Sequence, residues 1–225
     1  MKSAVIVFPG STDDLYEVTS EILPGQVDRI WYKDSNLKDY DLIMLSGGFS
    51  YGDYLRAGAI AARTEIVTAL KERAESGQLV LGIGNGFQIL LESGLLPGVM
   101  LQNEGLDFVC KNNNLIVRNN QTTFTCNYQE NEVITLPIAH GSGRYYCDKQ
   151  TLEQLQANQQ IVFSYQDNPN GSIGNIAGII NQAGNVLGMM PHPERATSAL
   201  LGSEAGLKLF QSIIGKWRED HVNNS

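Results

Sequence analysis

The amino-acid sequence predicts an α/β fold: a mostly parallel central sheet flanked by helices, with an antiparallel β addition. Three observations carry this. Continuous apolar runs such as Ala4–Phe8 and Leu42–Leu45 read as strands covered on both faces, as strands of parallel sheets are. Stretches with apolar residues at helical spacing lie between such runs, and strand–helix alternation builds a parallel layered sheet. From about Met100 to Tyr146 the alternation stops, and short β-rich pieces follow one another.

In order, Ala4–Phe8 is the first strand and Pro9-Gly10-Ser11-Thr12 a loop. Asp13 and Asp14 are placed to cap a helix with Leu15, Val18 and Ile22 inward, ended by Pro24-Gly25. Val27–Tyr32 is β-rich and reads as the second strand; Leu42–Leu45 is the third and runs into Ser46-Gly47-Gly48. Glu65–Ser76 carries Ile66, Val67, Leu70 and Ala74 at helical spacing, with Gly77 as a left-handed stop. Leu79–Ile83 is the fourth strand, followed by a glycine corner and an apolar helical stretch, Phe87–Leu91. Phe108–Cys110, Leu115–Val117, Thr123–Thr125 and Val133–Ile138 form the antiparallel addition, joined by Asn-rich turns. Thr151–Asn158 suggests a helix, Ile161–Tyr165 a strand, and Asn168-Pro169-Asn170-Gly171 a turn. Ile176–Ile180 and Val186–Met190 read as a hairpin, and Ser203–Trp217 as a final amphipathic helix.

The chain of 225 residues reads as one domain, 1–225, long enough to bury its own core. Its 42% apolar and 18% charged residues are those of an ordinary soluble globular protein. A net charge of -8 without a basic cluster argues against nucleic acid or an anionic membrane as partner. Cys110, Cys126 and Cys147 form neither a metal-ligand spacing nor an even disulfide set, so no metal site is expected and a reducing cytoplasm is the expected compartment. The apolar run at the N-terminus is too short for a signal-peptide core, and no stretch reaches membrane-span length.

Three sites could carry chemistry. The first is Gly82-Ile83-Gly84-Asn85-Gly86. A dinucleotide fingerprint would need its third glycine where Phe87 stands, so that reading fails. Strand, sharp turn and helix are instead the frame of a nucleophile elbow, but Gly84 at the apex has no side chain. The second is His192-Pro193-Glu194: an extended pair two residues apart can point both side chains one way, and a carboxylate on one imidazole nitrogen leaves the other as a base. Alone, the segment also reads as a loop with a capping histidine and a solvated glutamate. The third is Gly47-Gly48, whose unobstructed N–H groups suit a developing oxyanion or simply a tight turn. His140, in a glycine-flexed loop, reads as structural or partner-facing, and His221 as part of a polar tail.

Elbow, paired glycines and His-Pro-Glu together resemble class I (triad) glutamine amidotransferases, whose fold is flavodoxin-like. The match extends over almost the whole chain: Phe8-Pro9-Gly10-Ser11, the run from Gly47 to Gly58, Gly86-Phe87-Gln88-Ile89-Leu90, Asn119-Asn120-Gln121-Thr122, Pro137-Ile138-Ala139-His140-Gly141 and Pro191 to Arg195. These segments resemble the family of glutaminase subunits of phosphoribosylformylglycinamidine synthase. The resemblance implies that an elbow cysteine attacks the glutamine side-chain amide, that a γ-glutamyl thioester forms and is hydrolysed, and that ammonia passes to a large synthetase subunit. It implies a small third subunit, ATP and magnesium in the synthetase partner, and no cofactor in the glutaminase subunit itself. Carried over by motif, His192 is the general base and acid, Glu194 orients it, Gly48 and the amide of Asn85 are oxyanion donors, and Gln88 lines the glutamine site.

The chain departs from that pattern at the apex, where Gly84 stands in place of the nucleophilic cysteine, and at Thr12-Asp13, where the family often has Asn-Cys. Three readings of Gly84 stand open: an engineered replacement, a naturally inactive subunit, or a modified cysteine written as glycine. The expectation is a glutaminase subunit with impaired catalysis whose elbow keeps its shape. The alternative is a non-catalytic glutamine-binding or scaffold subunit of the same complex.

Overall fold

The computed structural model describes residues 1–222. In chain order the strands and helices are β1 (Lys2–Val7), α1 (Asp14–Ile22), β2 (Gln26–Trp31), β3 (Leu42–Leu45), α2 (Glu65–Glu75), β4 (Leu79–Ile83), α3 (Asn85–Glu92), β5 (Val99–Leu101), β6 (Val109–Val117), β7 (Val133–His140), β8 (Arg144–Tyr146), α4 (Lys149–Ala157), β9 (Ile161–Tyr165), β10 (Ile176–Ile180), β11 (Val186–Met189) and α5 (Leu207–Val222). Nine strands form one sheet in the order β2-β1-β3-β4-β11-β10-β9-β6-β7, and β5 pairs with β8 beside it. Every pairing from β2 to β11 is parallel, and every pairing from β11 to β7 is antiparallel. Among the described residues no helix is long and apolar enough to cross a membrane.

The unbroken apolar strands are explained by helices on both faces. Side chains alternate across a strand. Ala4, Ile6, Ile43, Leu45 and Val80 pack with Ile66, Val67 and Leu70 of α2 and with Phe87 and Leu90 of α3. Val5, Leu42, Met44, Leu81 and Ile83 pack on the other face with Leu15 of α1 and with Leu209, Phe210 and Ile213 of α5. At the β6–β7 end the sheet is covered on one face only, and β7 alternates between buried Ile134, Leu136 and Ile138 and more exposed neighbours.

Several expectations are corrected. Phe108–Cys110 and Leu115–Val117 are not separate pieces with an Asn turn between them. One strand, β6, runs through Asn112–Asn114, which pair with Pro137, Leu136 and Thr135 of β7. A long ladder outweighs the weak β preference of asparagine. Thr123–Thr125 is a turn: the Thr122 and Thr125 hydroxyls lie 2.6 Å apart, and Thr125 Oγ1 donates to the Asn119 carbonyl. Short hydroxyl side chains here bond the local backbone instead of leaving it to a ladder. Neither Asp13 nor Asp14 makes a capping bond; their carboxylates turn to Arg29 at 3.6 Å and Arg195 at 2.7 Å. The last helix begins at Leu207, because Ser203 bonds Ala205 N–H and the Thr135 carbonyl, and it runs on to include His221. The small β5–β8 sheet had no sequence signal.

Helix α3 sits unusually close to the sheet. A Cβ added at Gly86 would lie 2.2 Å from the Leu45 carbonyl oxygen, and one at Gly82 would lie 2.8 Å from the Gly86 backbone. These two glycines thus serve helix–strand contact rather than a bound dinucleotide. Gly86→Ala is expected to cost about 3 kcal/mol or more, since rigid backbone must move. Gly215→Ala on α5, where nothing lies within 4 Å, should instead stabilise by up to about 1 kcal/mol. Urea unfolding of the two variants against the parent chain checks both signs.

Candidate active site

The ends of three adjacent parallel strands converge on one spot, the C-terminal edge at which open α/β sheets place their ligands. Strand β4 ends at Ile83, and Gly84 turns the chain into α3 with φ 55° and ψ -109°, a conformation that favours glycine. The Gly84 N–H donates to Met189 O of β11 at 2.8 Å, which fixes the corner to its neighbouring strand. Strand β3 delivers Gly47-Gly48 on one side; β11 leads through Pro191 to His192 on the other.

His192 and Glu194 meet, but not as an extended pair. Pro193–Arg195 is a single 3-10 turn, and it brings the carboxylate back under the ring. His192 Nδ1 and Glu194 Oε1 are 2.6 Å apart, with the side chains 3% and 1% exposed. The His192 N–H donates to Pro137 O of β7, which holds the backbone. With Nδ1 given to the carboxylate, the lone pair of Nε2 points at the elbow. A Cβ added at Gly84 would stand 3.3 Å from Nε2 and 3.0 Å from Cε1. Any side chain at the apex is therefore within reach of the imidazole.

Two N–H groups flank the same apex. Gly48 has φ 109°, and the bridge it forms with Ser11 is carried by Thr12 N–H to Gly47 O and Phe49 N–H to Gly10 O, which leaves the Gly48 N–H outside that pair. Asn85 is the first residue of α3, where an N–H has no carbonyl one turn back. Both N–H groups and the positive end of α3 favour a negative oxygen at this place. A Cβ at Gly47 would come 2.9 Å from His192 Cε1, so paired glycines are also what lets the ring sit here. Gln88 is tied into the wall: its Oε1 accepts from Asn85 Nδ2 and its Nε2 donates to Ser142 O at 2.6 Å.

Gly48, Gly84, Asn85, Gln88 and His192 all line one cavity of about 20 Å³, room for little more than a water. Glu194 stands behind the ring. Sequence reading missed a further wall residue, Asp53; for His140 the structure selects the structural of the two readings. His140 is 3% exposed, so it faces no partner. Its Nδ1 lies 3.1 Å from Asn103 Oδ1 and its Nε2 3.4 Å from Asn170 Nδ2. Burial, and then the nearby His192, lower its pKa to about 4, so it is neutral near neutral pH. Asp53 sits in a stretch where Tyr51, Asp53 and Leu55 all have positive φ, and burial raises its carboxyl to about 6. Nothing in the spacing of Ser50-Tyr51-Gly52-Asp53 signals that the loop folds over the elbow.

No cysteine lines this cavity. Cys110 and Cys126 are exposed, and Cys147 is buried elsewhere. Among the described residues no group of three or more His, Cys, Asp or Glu side chains is arranged to hold a metal. His221 lies on α5 with its ring against Trp217.

Against known proteins, residues 10–217 match the CobB/CobQ-like glutamine amidotransferase domain. The chain is similar to a chain in the structure of PurLQS from Thermotoga maritima, at 46% identity, over 96% of this chain and 98% of that one, with a TM-score of 0.87. A protein assigned as a component of GMP synthase from Thermoplasma acidophilum shares 15% identity over 100% of this chain and 98% of its own, with a TM-score of 0.65. A glutamine amidotransferase from Thermotoga maritima shares 14% over 100% and 83%, with a TM-score of 0.61. The last two likenesses concern the fold alone.

The state of His140 carries a pH signature. Its folded pKa of about 4 lies below the ordinary 6.5, so below 6.5 the unfolded chain takes up a proton that the folded chain refuses. Its neutral burial is harmless above about pH 6.5 and costs stability as pH falls from there toward 4, to a limit of roughly 3 kcal/mol. His140→Asn should flatten the stability–pH slope in that window by up to about one proton. Urea midpoints at several pH values measure it; an unchanged slope would show that His140 is not held neutral.

Proposed function

Because the chain belongs to the CobB/CobQ-like glutamine amidotransferase domain family, we propose that it is the glutaminase subunit of phosphoribosylformylglycinamidine synthase, shaped to release ammonia from glutamine for a synthetase subunit. Identity of 46% along nearly the whole chain to a chain in PurLQS supports this choice within the family. The observation that carries it is the facing pair at the apex: the imidazole of His192, braced by Glu194 at 2.6 Å, stands 3.3 Å from where a Cβ on Gly84 would be.

The chemistry follows from those positions. A thiol at the apex gives its proton to His192 Nε2 and attacks the side-chain amide carbon of glutamine. The amide oxygen becomes an oxyanion held by the N–H groups of Gly48 and Asn85. The tetrahedral adduct collapses, His192 returns the proton to the leaving nitrogen, and ammonia departs from a γ-glutamyl thioester. Water then attacks the thioester, again with His192 as base, and glutamate leaves. Glu194 keeps the ring in the tautomer that this shuttle needs. Gln88 forms the wall beside the amide. The glutaminase needs no cofactor of its own; ATP and magnesium belong to the large synthetase subunit, and a small third subunit completes the complex.

With Gly84 at the apex this route is cut at its first step, because no thiolate is present to attack. Loss of one member of such a triad costs on the order of 10³ to 10⁶ in turnover. A second reading follows from the same empty apex: a subunit that binds glutamine, or only its partner subunits, without hydrolysing anything.

One comparison separates the readings. The parent chain and Gly84→Cys are each assembled with the synthetase and third subunits, and amidation is driven by glutamine or by free ammonia. We expect ammonia to serve both, and glutamine to serve Gly84→Cys at least about 10³-fold better than the parent. His192→Ala in the Gly84→Cys background should erase the gain. A silent Gly84→Cys chain in a complex that still uses ammonia leaves the scaffold reading standing. Intact mass of the parent chain distinguishes glycine from a modified cysteine at position 84.

A further inference from the structure

The cavity at the elbow is too small for glutamine, and its geometry says where the rest of the molecule must go. About 20 Å³ holds little more than a water. A second cavity of about 570 Å³ adjoins it, and Asp53 and Ser142 line both. A glutamine with its amide at Gly84 spans about 5 Å from amide carbon to α-nitrogen over four single bonds. It leaves the small cavity through this junction, so its charged head group comes to rest there.

Of the two residues at the junction, Asp53 carries charge. Its carboxylate touches Asn85 Nδ2 only at 3.5 Å, and burial alone accounts for its raised pKa, with no cation offsetting it. Among the described residues no Lys, Arg or His pairs with it, whereas Arg56 beside it is already taken by Glu92 at 2.7 Å. The backbone holds Asp53 there at a price in strain, since Tyr51, Asp53 and Leu55 all take positive φ. An unpaired, half-buried carboxylate in a strained loop is matched by a ligand that brings its own positive charge.

We propose that Asp53 is the residue that recognises the α-ammonium group of the amino-acid substrate, which makes the site selective for glutamine over amides that lack an α-amine. This rests on the glutaminase reading above. The α-carboxylate then faces the larger cavity, which Arg144 lines with one of its N–H groups bound to the Gly171 carbonyl. Ser142 offers the junction no charge, and its carbonyl is used by Gln88.

The test compares glutamine with glutaramate, which is glutamine without its α-amino group, by calorimetry on the parent chain and on Asp53→Asn. The parent should bind glutamine about tenfold to a hundredfold tighter than glutaramate, the range of a hydrogen bond between charged groups. Asp53→Asn should lose that preference by weakening glutamine while leaving glutaramate unchanged. A parent chain that binds both equally overturns the proposal without recourse to any variant. So does an Asp53→Asn chain, with an unchanged urea midpoint, that binds glutamine as the parent does; both results leave the glutaminase reading intact. Failure of glutamine to bind both the parent and the assembled complex overturns the proposal together with the reading beneath it.

Discussion

A hydrogen bond of 2.6 Å between His192 Nδ1 and Glu194 Oε1, closed off from solvent, orders the rest of the site. A carboxylate this deeply buried is costly to desolvate, and the cost falls only if its oxygens find partners. One oxygen has the imidazole; Oε2 has no hydrogen-bond partner among the described residues. Arg195 does not complete the pair, since its Nε stands 3.9 Å from Glu194 Oε1 and binds Asp14 at 2.7 Å instead. Such an arrangement is poor as a stabilising device and well suited to holding one ring in one tautomer. The chain secures it from the backbone: the 3-10 turn at Pro193–Arg195 and the bond from His192 N–H to Pro137 O position both side chains.

The ring needs empty space around its reactive edge, and glycines provide it. A Cβ on Gly47 would crowd His192 Cε1 at 2.9 Å, so the glycine there keeps the ring free to face the apex. Gly82 and Gly86 do something different by letting α3 lie against β4 and β3. That contact places the helix N-terminus, with Asn85, beside the cavity. A run read from spacing as a failed dinucleotide motif is thus two interleaved sets of glycines, one for packing and one for the site.

How far the sequence reveals this depends on whether the deciding interactions are local. Strand β4 and hairpin β10–β11 coincide with their apolar runs to within a residue, because burial on both faces leaves an uninterrupted apolar signature. Asn112–Asn114 misled because a strand covered on one face only accepts polar residues, so long-range pairing decided the matter. That His192, Glu194, Gly48 and Asn85 meet in one place was legible because each belongs to a short motif with a mechanical meaning. Asp53 and Ser142 were not, since what brings them to the cavity is the path of two loops, and neither residue type is diagnostic there. For His140 the choice between a structural and a partner-facing role stayed open for the same reason: Asn103 and Asn170, which enclose it, are distant in sequence.

The corner at Gly84 holds its shape with no side chain, because nothing in its construction uses one. The corner is fixed by Gly84 N–H to Met189 O, by Gln88 N–H to Gly84 O, and by the packing of α3, all of them backbone or neighbouring groups. At φ 55° and ψ -109° a residue with a Cβ carries strain on the order of 1–3 kcal/mol, which glycine does not. A Cβ at this corner is therefore a load on the fold that glycine spares. The His192–Glu194 pair, the Gly47-Gly48 turn and Gln88 each have their own supports, so their geometry does not depend on what Gly84 carries. That independence is why the strand–turn–helix frame is complete around a residue with no side chain.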